Sequence, residues 1–252
     1  MVGRDLVVRE GSLNDGPDYD DSWLFACAQR AKVAFDVGAN VGQSALLMLC
    51  ANVAEVTLIE ANPTALAIAA DNLIRNQLSA RARFVSAFAS DASDQTVDLW
   101  TVGVGAAGSM YPGHAKAAAR EGTVQRVPTA TLDELTDKFA AVPDLVKIDV
   151  EGAETKVLAG SKRIAAHHGT RFLVEMHSAP EMPMLRNATL VLEWARATGY
   201  AVWYLRDAVK LETPEQIGDR GRCHLLLQPA AWPYPEWLVG IGQSARLPTS
   251  VG

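Results

Sequence analysis

A chain of 252 residues with 49% hydrophobic residues and a formal net charge of -6 has enough apolar content for one large globular core, so a single domain over 1–252 is expected. The acidic balance and the lack of any lysine- or arginine-rich run argue against a nucleic-acid partner. No apolar stretch approaches the roughly 18 residues of a membrane span. The first residues, Met1–Leu6, lack a secretory pattern, and Cys27, Cys50 and Cys223 are too few for a disulfide scaffold or zinc cluster. A cytoplasmic protein with reduced, buried thiols is the expectation.

Taken in order, residues 1–20 are polar and read as a loose arm. Asp21 or Ser22 caps a helix reaching about Ala31, with Trp23, Leu24 and Cys27 on one face, placed to cover a pocket. Val33-Ala34-Phe35 follows as a short apolar run, as a strand buried on both faces should be, with Asp36 just before the turn. It runs into a glycine turn, Gly38-Ala39-Asn40-Val41-Gly42, and then an amphipathic helix, Gln43–Cys50. Strand, glycine turn and helix together place backbone N–H groups and a helix start beside a nucleotide-like ligand. The dinucleotide pattern has a second glycine where Asn40 stands, and a pyrophosphate needs that bare backbone. A carboxylate, Asp36, and Asn40 suit instead a ligand with a cationic, amino-acid-like end, such as S-adenosylmethionine. Val56–Glu60 is the second strand, and Glu60 at its tip is placed to take both hydroxyls of a ribose. Ala61 and Asn62 belong to the same ligand-binding segment, and Asn62-Pro63 opens a helix, Thr64–Gln77.

Arg83–Ala87 reads as the third strand, with Ala87 and, further on, Asp91 beside the adenine. Val97–Val102 and Thr123–Val127 are two strands of a hairpin-like insertion, and the glycine-rich stretch between them is a loop able to cover a substrate. His114 in it reads as an ordinary loop residue. Thr131 and Glu134 form a capping box. In Leu145–Gly152, side chains alternate, so Lys147, Asp149 and Glu151 share one side of a strand. A helix over Ala153–Ala166 continues the rhythm. Phe172–His177 repeats the device with Glu175 and His177 at its end. Were these two strands parallel neighbours, Asp149, Glu151, Glu175 and His177 would cluster at the sheet edge where α/β proteins bind ligands. A helix Met184–Thr198, ended by Gly199, precedes closing strands at Tyr200–Leu205 and Cys223–Leu227, one of them antiparallel. The connection 206–222 shows no clear helix. The tail, 229–252, packs on the body or on a second copy, making a homo-oligomer an open expectation.

With these residues in view, the chain resembles the FkbM-type family of S-adenosylmethionine-dependent methyltransferases. The resemblance is carried by Phe35–Gly42, Glu60-Ala61-Asn62-Pro63, Thr131-Leu132-Asp133, Val146–Glu154 and Val174-Glu175-Met176-His177. The Lys147–Glu154 run is the most particular of these. The resemblance implies a Rossmann-like class I methyltransferase sheet of about seven strands, mostly parallel with one antiparallel, and helices on both faces. It also implies S-adenosylmethionine as cofactor and methylation of a hydroxyl on a small molecule, sugar or glycan. Gly108-Ser109 stands where the family shows a Ser-Ser pair, and the arm and tail lie outside the resemblance.

On that basis Asp36, Gly38, Asn40 and Gly42 are expected at the methionine end, Glu60 at the ribose and Asp149 at the methyl-transfer centre. His177, whose ordinary pKa lies near neutrality, is the expected general base, oriented by Glu175. A less favoured variant has Asp149, Glu151 and Glu175 holding Mg²⁺. Rival readings are an NAD(P)-dependent oxidoreductase and a non-catalytic cofactor-binding module.

Overall fold

A computed structural model describes residues 1–13, 19–101, 108–113 and 115–248; Gly103, Gly105 and His114 lie outside the described residues. The first half runs α1 (Asp21–Ala28), β1 (Val33–Val37), α2 (Gln43–Cys50), β2 (Glu55–Glu60), α3 (Pro63–Arg75), β3 (Ala82–Ser86) and β4 (Phe88–Ala89). Next come β5 (Thr96–Trp100), α4 (Lys116–Glu121), β6 (Val124–Ala130), α5 (Leu132–Phe139) and β7 (Leu145–Ile148). The rest is α6 (Glu154–Ala159), α7 (Lys162–Ala166), β8 (Arg171–Met176), α8 (Met184–Thr198), β9 (Tyr200–Tyr204), β10 (Val209–Leu211), α9 (Pro214–Gly218) and β11 (Cys223–Pro229).

Among the described residues one sheet of 8 strands has the order β10-β9-β11-β8-β7-β1-β2-β3. The strands β3, β2, β1, β7 and β8 are parallel, while β11 runs antiparallel to β8 and β9, and β10 antiparallel to β9. This is the expected α/β architecture, with one strand more than the seven anticipated and two antiparallel strands rather than one. The extra strand and the short helix α9 occupy the connection 206–222, where no clear helix was expected. Alternation sorts the strand residues into two apolar layers. Ala34, Val56, Leu58, Leu145, Leu173 and Leu226 pack with α1 and α2, whereas Phe35, Val37, Ile59, Val146, Ile148, Phe172 and Val174 pack in the opposite layer with α6 and α8. By the same parity Asp36, Lys147, Glu175 and His224 belong to the first layer, at its end.

The insertion is a hairpin as expected, β5 pairing antiparallel with β6, but β4 joins it to make a separate 3-stranded sheet. Helix α4 lies within the segment read as loop. The single helix expected over 153–166 is two, α6 and α7, parted at Gly160-Ser161. A Cβ on Gly160 would come 2.1 Å from the carbonyl oxygen of Ser90, so this close crossing breaks the helix. The tail packs on its own chain: Trp23 Nε1 donates to the Ile241 carbonyl at 2.8 Å, and Arg30 stacks on Trp237 at 4.3 Å. The three cysteines are buried and unpaired, as expected.

The arm is not loose where it is described. Val2 is buried, and the backbone of Val7 and Arg9 is hydrogen-bonded to the side chains of Asn76 and Asn72. No helix is long and apolar enough to cross a membrane among the described residues.

Candidate cofactor and transfer site

The cleft lies at the C-terminal ends of β1, β2, β7 and β8, where the strand order reverses between β1 and β7. Gly38 makes the first turn possible. Its φ is +81°, and a Cβ there would sit 1.9 Å from the carbonyl oxygen of Asp149. Only glycine satisfies both constraints. Gly42, at φ +88°, starts α2 and brings the turn against Ala69 of α3, 3.0 Å from where its Cβ would lie. Its task is packing: it does not line the cleft.

Two adjoining hollows meet at Gly38, Asn40 and Asp149. The first is bordered by Ile59, Glu60, Ala61, Asn62, Ala87 and Phe88, with Val150 and Glu151 on its far side. Ala87 and Ala89, small and apolar, also line this hollow. Glu60 forms its polar end: Oε2 accepts the Asn40 N–H at 2.8 Å and Oε1 the Asn62 N–H at 2.7 Å. Burial raises its carboxyl pKa, against those hydrogen bonds. Asn62 contributes its backbone and also caps α3, its Oδ1 accepting from Thr64 and Ala65. Asp91 is drawn off to Ser90 and Lys156 and does not border this hollow.

The second hollow is bordered by Gly11, Ser12, Tyr19, Asp20, Gln43, Ser44, Lys147, Glu175 and Arg222. Asp36 was expected at this surface and is instead sealed beneath it, with no exposed area. The Ser44 hydroxyl bonds both of its oxygens, at 3.0 and 2.9 Å, and burial pushes its carboxyl up to about 6 against the pull of Lys147. Asp36 therefore holds the start of α2 to β1 and reaches a ligand only through other residues. Lys147 lies within 3.0 Å of Asp149 Oδ2 and 3.8 Å of Asp20 Oδ2. Its ammonium is buried, yet those acids keep its pKa well above the ordinary value.

The structure brings Asp149, Glu151 and His177 together, one ligand atom of each within 4.8 Å of the others. His177 Nε2 lies 3.5 Å from Glu151 Oε2, 3.8 Å from Asp149 Oδ1 and 3.5 Å from Glu175 Oε1. Its other nitrogen, Nδ1, donates to Glu154 Oε1 at 2.9 Å. Glu154 is fully buried and also accepts from the Gly152 N–H at 2.9 Å and from Asn187 at 2.8 Å. Burial alone would lower the pKa of this imidazole, but the hydrogen bonds to Glu154 and Glu175 outweigh it and lift it to about 10. That upward shift favours the protonated ring at neutral pH, which speaks against the expected role of His177 as general base. Glu175 is likewise engaged elsewhere. Its Oε1 accepts from Arg222 and its Oε2 lies 3.4 Å from His224, and with His177 these hold its carboxyl far below the usual range despite burial. For the Mg²⁺ variant this means that His177, not Glu175, stands with Asp149 and Glu151. Burial raises the Glu151 carboxyl, and Glu151 borders the first hollow.

Glu154, Asn187, Asp20 and Arg222 carry this site without having been singled out for it. Arg222 and His224 arrive because β11 is antiparallel: its first residues meet the last of β8, His224 opposite Glu175. The insertion closes one side. Ser109 Oγ donates to the Glu151 carbonyl at 2.9 Å, and the Tyr111 ring lies over Gly152. A pH effect on stability follows from His177. Its folded pKa stands above the ordinary 6.5, so its contribution is complete below that pH and lost as pH rises through about 10. Wild type should therefore lead His177→Gln in thermal stability at low pH, and the gap should narrow across that window; a constant gap would show that the ring is not charged.

A sequence profile described as the Methyltransferase FkbM domain matches residues 36–201. It begins inside β1 and ends inside β9, leaving the arm and tail outside. No curated protein sequence matches the chain. Among solved structures it is similar to a methyltransferase FkbM from Methylobacillus flagellatus, with 17% identity over 88% of this chain and 46% of that one, at a TM-score of 0.51. The chain thus spans about half the length of that protein, and the likeness is one of fold. It also aligns with a precorrin-6y C5,15-methyltransferase from Geobacter metallireducens at 11% identity, over 91% of this chain and 94% of that one, TM-score 0.46. A third similar structure is an O-methyltransferase from Bacillus cereus in complex with SAH, at 12% identity over 87% of this chain and 83% of that one, TM-score 0.47.

Proposed function

Because the chain belongs to the FkbM methyltransferase family, we propose that it moves a methyl group from S-adenosylmethionine to a hydroxyl oxygen of a small molecule, sugar or glycan. The observation that carries this reading is the pair of hollows that meet at Gly38, Asn40 and Asp149, with the buried His177 ring 3.8 Å from Asp149 and 3.5 Å from Glu151. The first hollow offers small apolar residues for a flat ring and a carboxylate for a diol, and a cluster of acids surrounds the imidazolium beside Asp149. When bound, the cofactor would supply a methyl already activated by the positive charge on its sulfur, so the protein's task is alignment and proton removal.

Ile59, Ala87 and Phe88 would enclose the adenine, Glu60 the ribose, and the Gly38–Asn40 backbone with Asp20 and Lys147 the amino-acid end. Glu151 takes the proton from the acceptor hydroxyl. Its raised pKa makes it a better base than an ordinary carboxylate. The imidazolium of His177, 3.5 Å from Glu151, stabilises the oxygen as it becomes negative. Arg222 and His224 keep Glu175 ionised beside His177, which holds that charge in place.

The positive charge of His177 occupies the place a divalent ion would serve, and this favours a reaction without one. Methyl transfer should therefore keep its rate in EDTA, and loss of rate restored by Mg²⁺ would pass the role of His177 to the ion. The function itself is tested by incubating the protein with S-adenosylmethionine and a panel of hydroxyl, amine and carbon acceptors and measuring S-adenosylhomocysteine. Product should form with at least one hydroxyl acceptor and fall at least about 100-fold in Glu151→Gln, the scale on which a positioned base acts. Transfer only to amine or carbon acceptors would overturn the assignment to oxygen.

A further inference from the structure

The N-terminal arm lies outside the family match, yet Gly11 and Ser12 border the cleft beside Gly38, Val41 and Ser44. The arm is held there by hydrogen bonds to two asparagines, Asn72 of α3 and Asn76 just past its end. Asn76 grips Val7 from both sides, accepting its N–H at 2.9 Å and donating to its carbonyl at 2.8 Å. Asn72 is fully buried and does three things with one amide. Its Oδ1 accepts the Arg9 N–H at 2.8 Å, and its Nδ2 donates to the Val41 carbonyl at 2.9 Å and to Ser12 Oγ at 3.2 Å. Val41 belongs to the glycine turn. A single side chain thus joins the arm, α3 and the turn, and the contact between Gly42 and Ala69 presses the same helix against the same turn.

We propose that the arm, through Gly11 and Ser12, forms a wall of the amino-acid end of the cofactor cleft, and that Asn72 is the positioning residue that fixes this wall against the glycine turn. The inference rests on reading the cleft as an S-adenosylmethionine site. The chemistry at position 72 is narrow. Leucine offers neither donor nor acceptor, and an ionised aspartate cannot donate to the Val41 carbonyl. Among the described residues of 1–13, the arm is held by Val2, by the partly buried Met1, Leu6, Val8 and Leu13, and by hydrogen bonds from these two asparagines, the kind of segment that opens locally well before the core does. A ligand bound against Gly11 and Ser12 therefore stabilises the closed arm, and release of the ligand is coupled to its opening.

The test uses S-adenosylhomocysteine as the probe, with the full chain and its variants titrated by calorimetry. Asn72→Ala should bind about tenfold more weakly, because buried partners on the arm and the turn lose their hydrogen bonds together. Should that variant fail to fold, Asn76→Ala carries the test: it frees Val7, which is exposed and away from the cleft, and one bond to the Asn72 carbonyl, and should weaken binding about threefold with the melting curve still cooperative. In parallel, bound S-adenosylhomocysteine should slow tryptic cleavage after Arg9 in wild type and slow it less in Asn76→Ala. Affinity in folded Asn76→Ala equal to wild type, with cleavage indifferent to the probe, would overturn the proposal. Failure of wild type to bind the probe at all would instead overturn the cofactor reading, so the two failures are told apart.

Discussion

Glu60→Gln should weaken S-adenosylmethionine binding about 100-fold while leaving the fold intact. Glu60 borders the first hollow, and its oxygens accept the Asn40 and Asn62 N–H groups, within the roughly four acceptor sites a carboxylate offers. Two charge-assisted hydrogen bonds to a ribose diol, each contributing about 1.5–3 kcal/mol, account for an effect of this size. Glutamine has the same shape but a single acceptor oxygen. Its NH₂ group would face a backbone donor, Asn40 or Asn62, and lose one anchor as well as the charge. Glu60→Ala is a poorer test, since it would release the Asn40 turn altogether and mix folding with binding. Calorimetric titration of the folded Gln variant is decisive. Affinity within about threefold of wild type, too little for one lost charge-assisted bond, would remove Glu60 from the ribose.

The second large effect concerns turnover. His177→Asn should lower kcat about 100- to 1000-fold, the scale of one lost donor at a developing negative oxygen, with cofactor affinity changed less than about threefold. The ring is buried, and Asp149, Glu151, Glu154 and Glu175 face it from four positions on β7, α6 and β8 or the loops after them. Asparagine cannot carry its charge. The pH profile separates the roles. With His177 protonated up to about 10, wild-type kcat should show no rise centred near the ordinary 6.5 of histidine. The acid limb belongs to Glu151 and should lie above the ordinary carboxylate position, because burial raises it. A limb near 6.5 that disappears in His177→Asn would return the role of base to histidine.

Most of the sheet could be read in advance because its central strands are buried on both faces. Such strands must be nearly continuous apolar runs, and Val33–Val37, Val56–Glu60 and Phe172–Met176 are. A polar residue in such a run has few explanations, which is why Asp36, Lys147, Asp149 and Glu175 stood out. Which way Asp36 pointed did not follow from the run, since turn and strand both tolerate it; parity against the α1 and α2 layer settles it. The protonation of His177 was equally hidden. It depends on Glu154, 23 residues earlier, and on a helix start that folds beneath the ring. Arg222 and His224 enter only through the antiparallel direction of β11, a fact of strand order rather than of spacing. The arm gave no signal because its backbone, not its side chains, makes the principal bonds, and asparagines at 72 and 76 read as ordinary helix surface. The break at Gly160 follows from the approach of Ser90, 70 residues away in the chain.

The most direct measurement is a crystal structure of the protein soaked with S-adenosylhomocysteine, and in parallel with NAD. The adenine should lie between Ile59 and Phe88, the ribose hydroxyls on Glu60, and the sulfur near Asp149 and within reach of His177, with NAD absent from the same cleft. Density for NAD across Glu60 and Gly38, in crystals that leave S-adenosylhomocysteine unbound, would contradict the account.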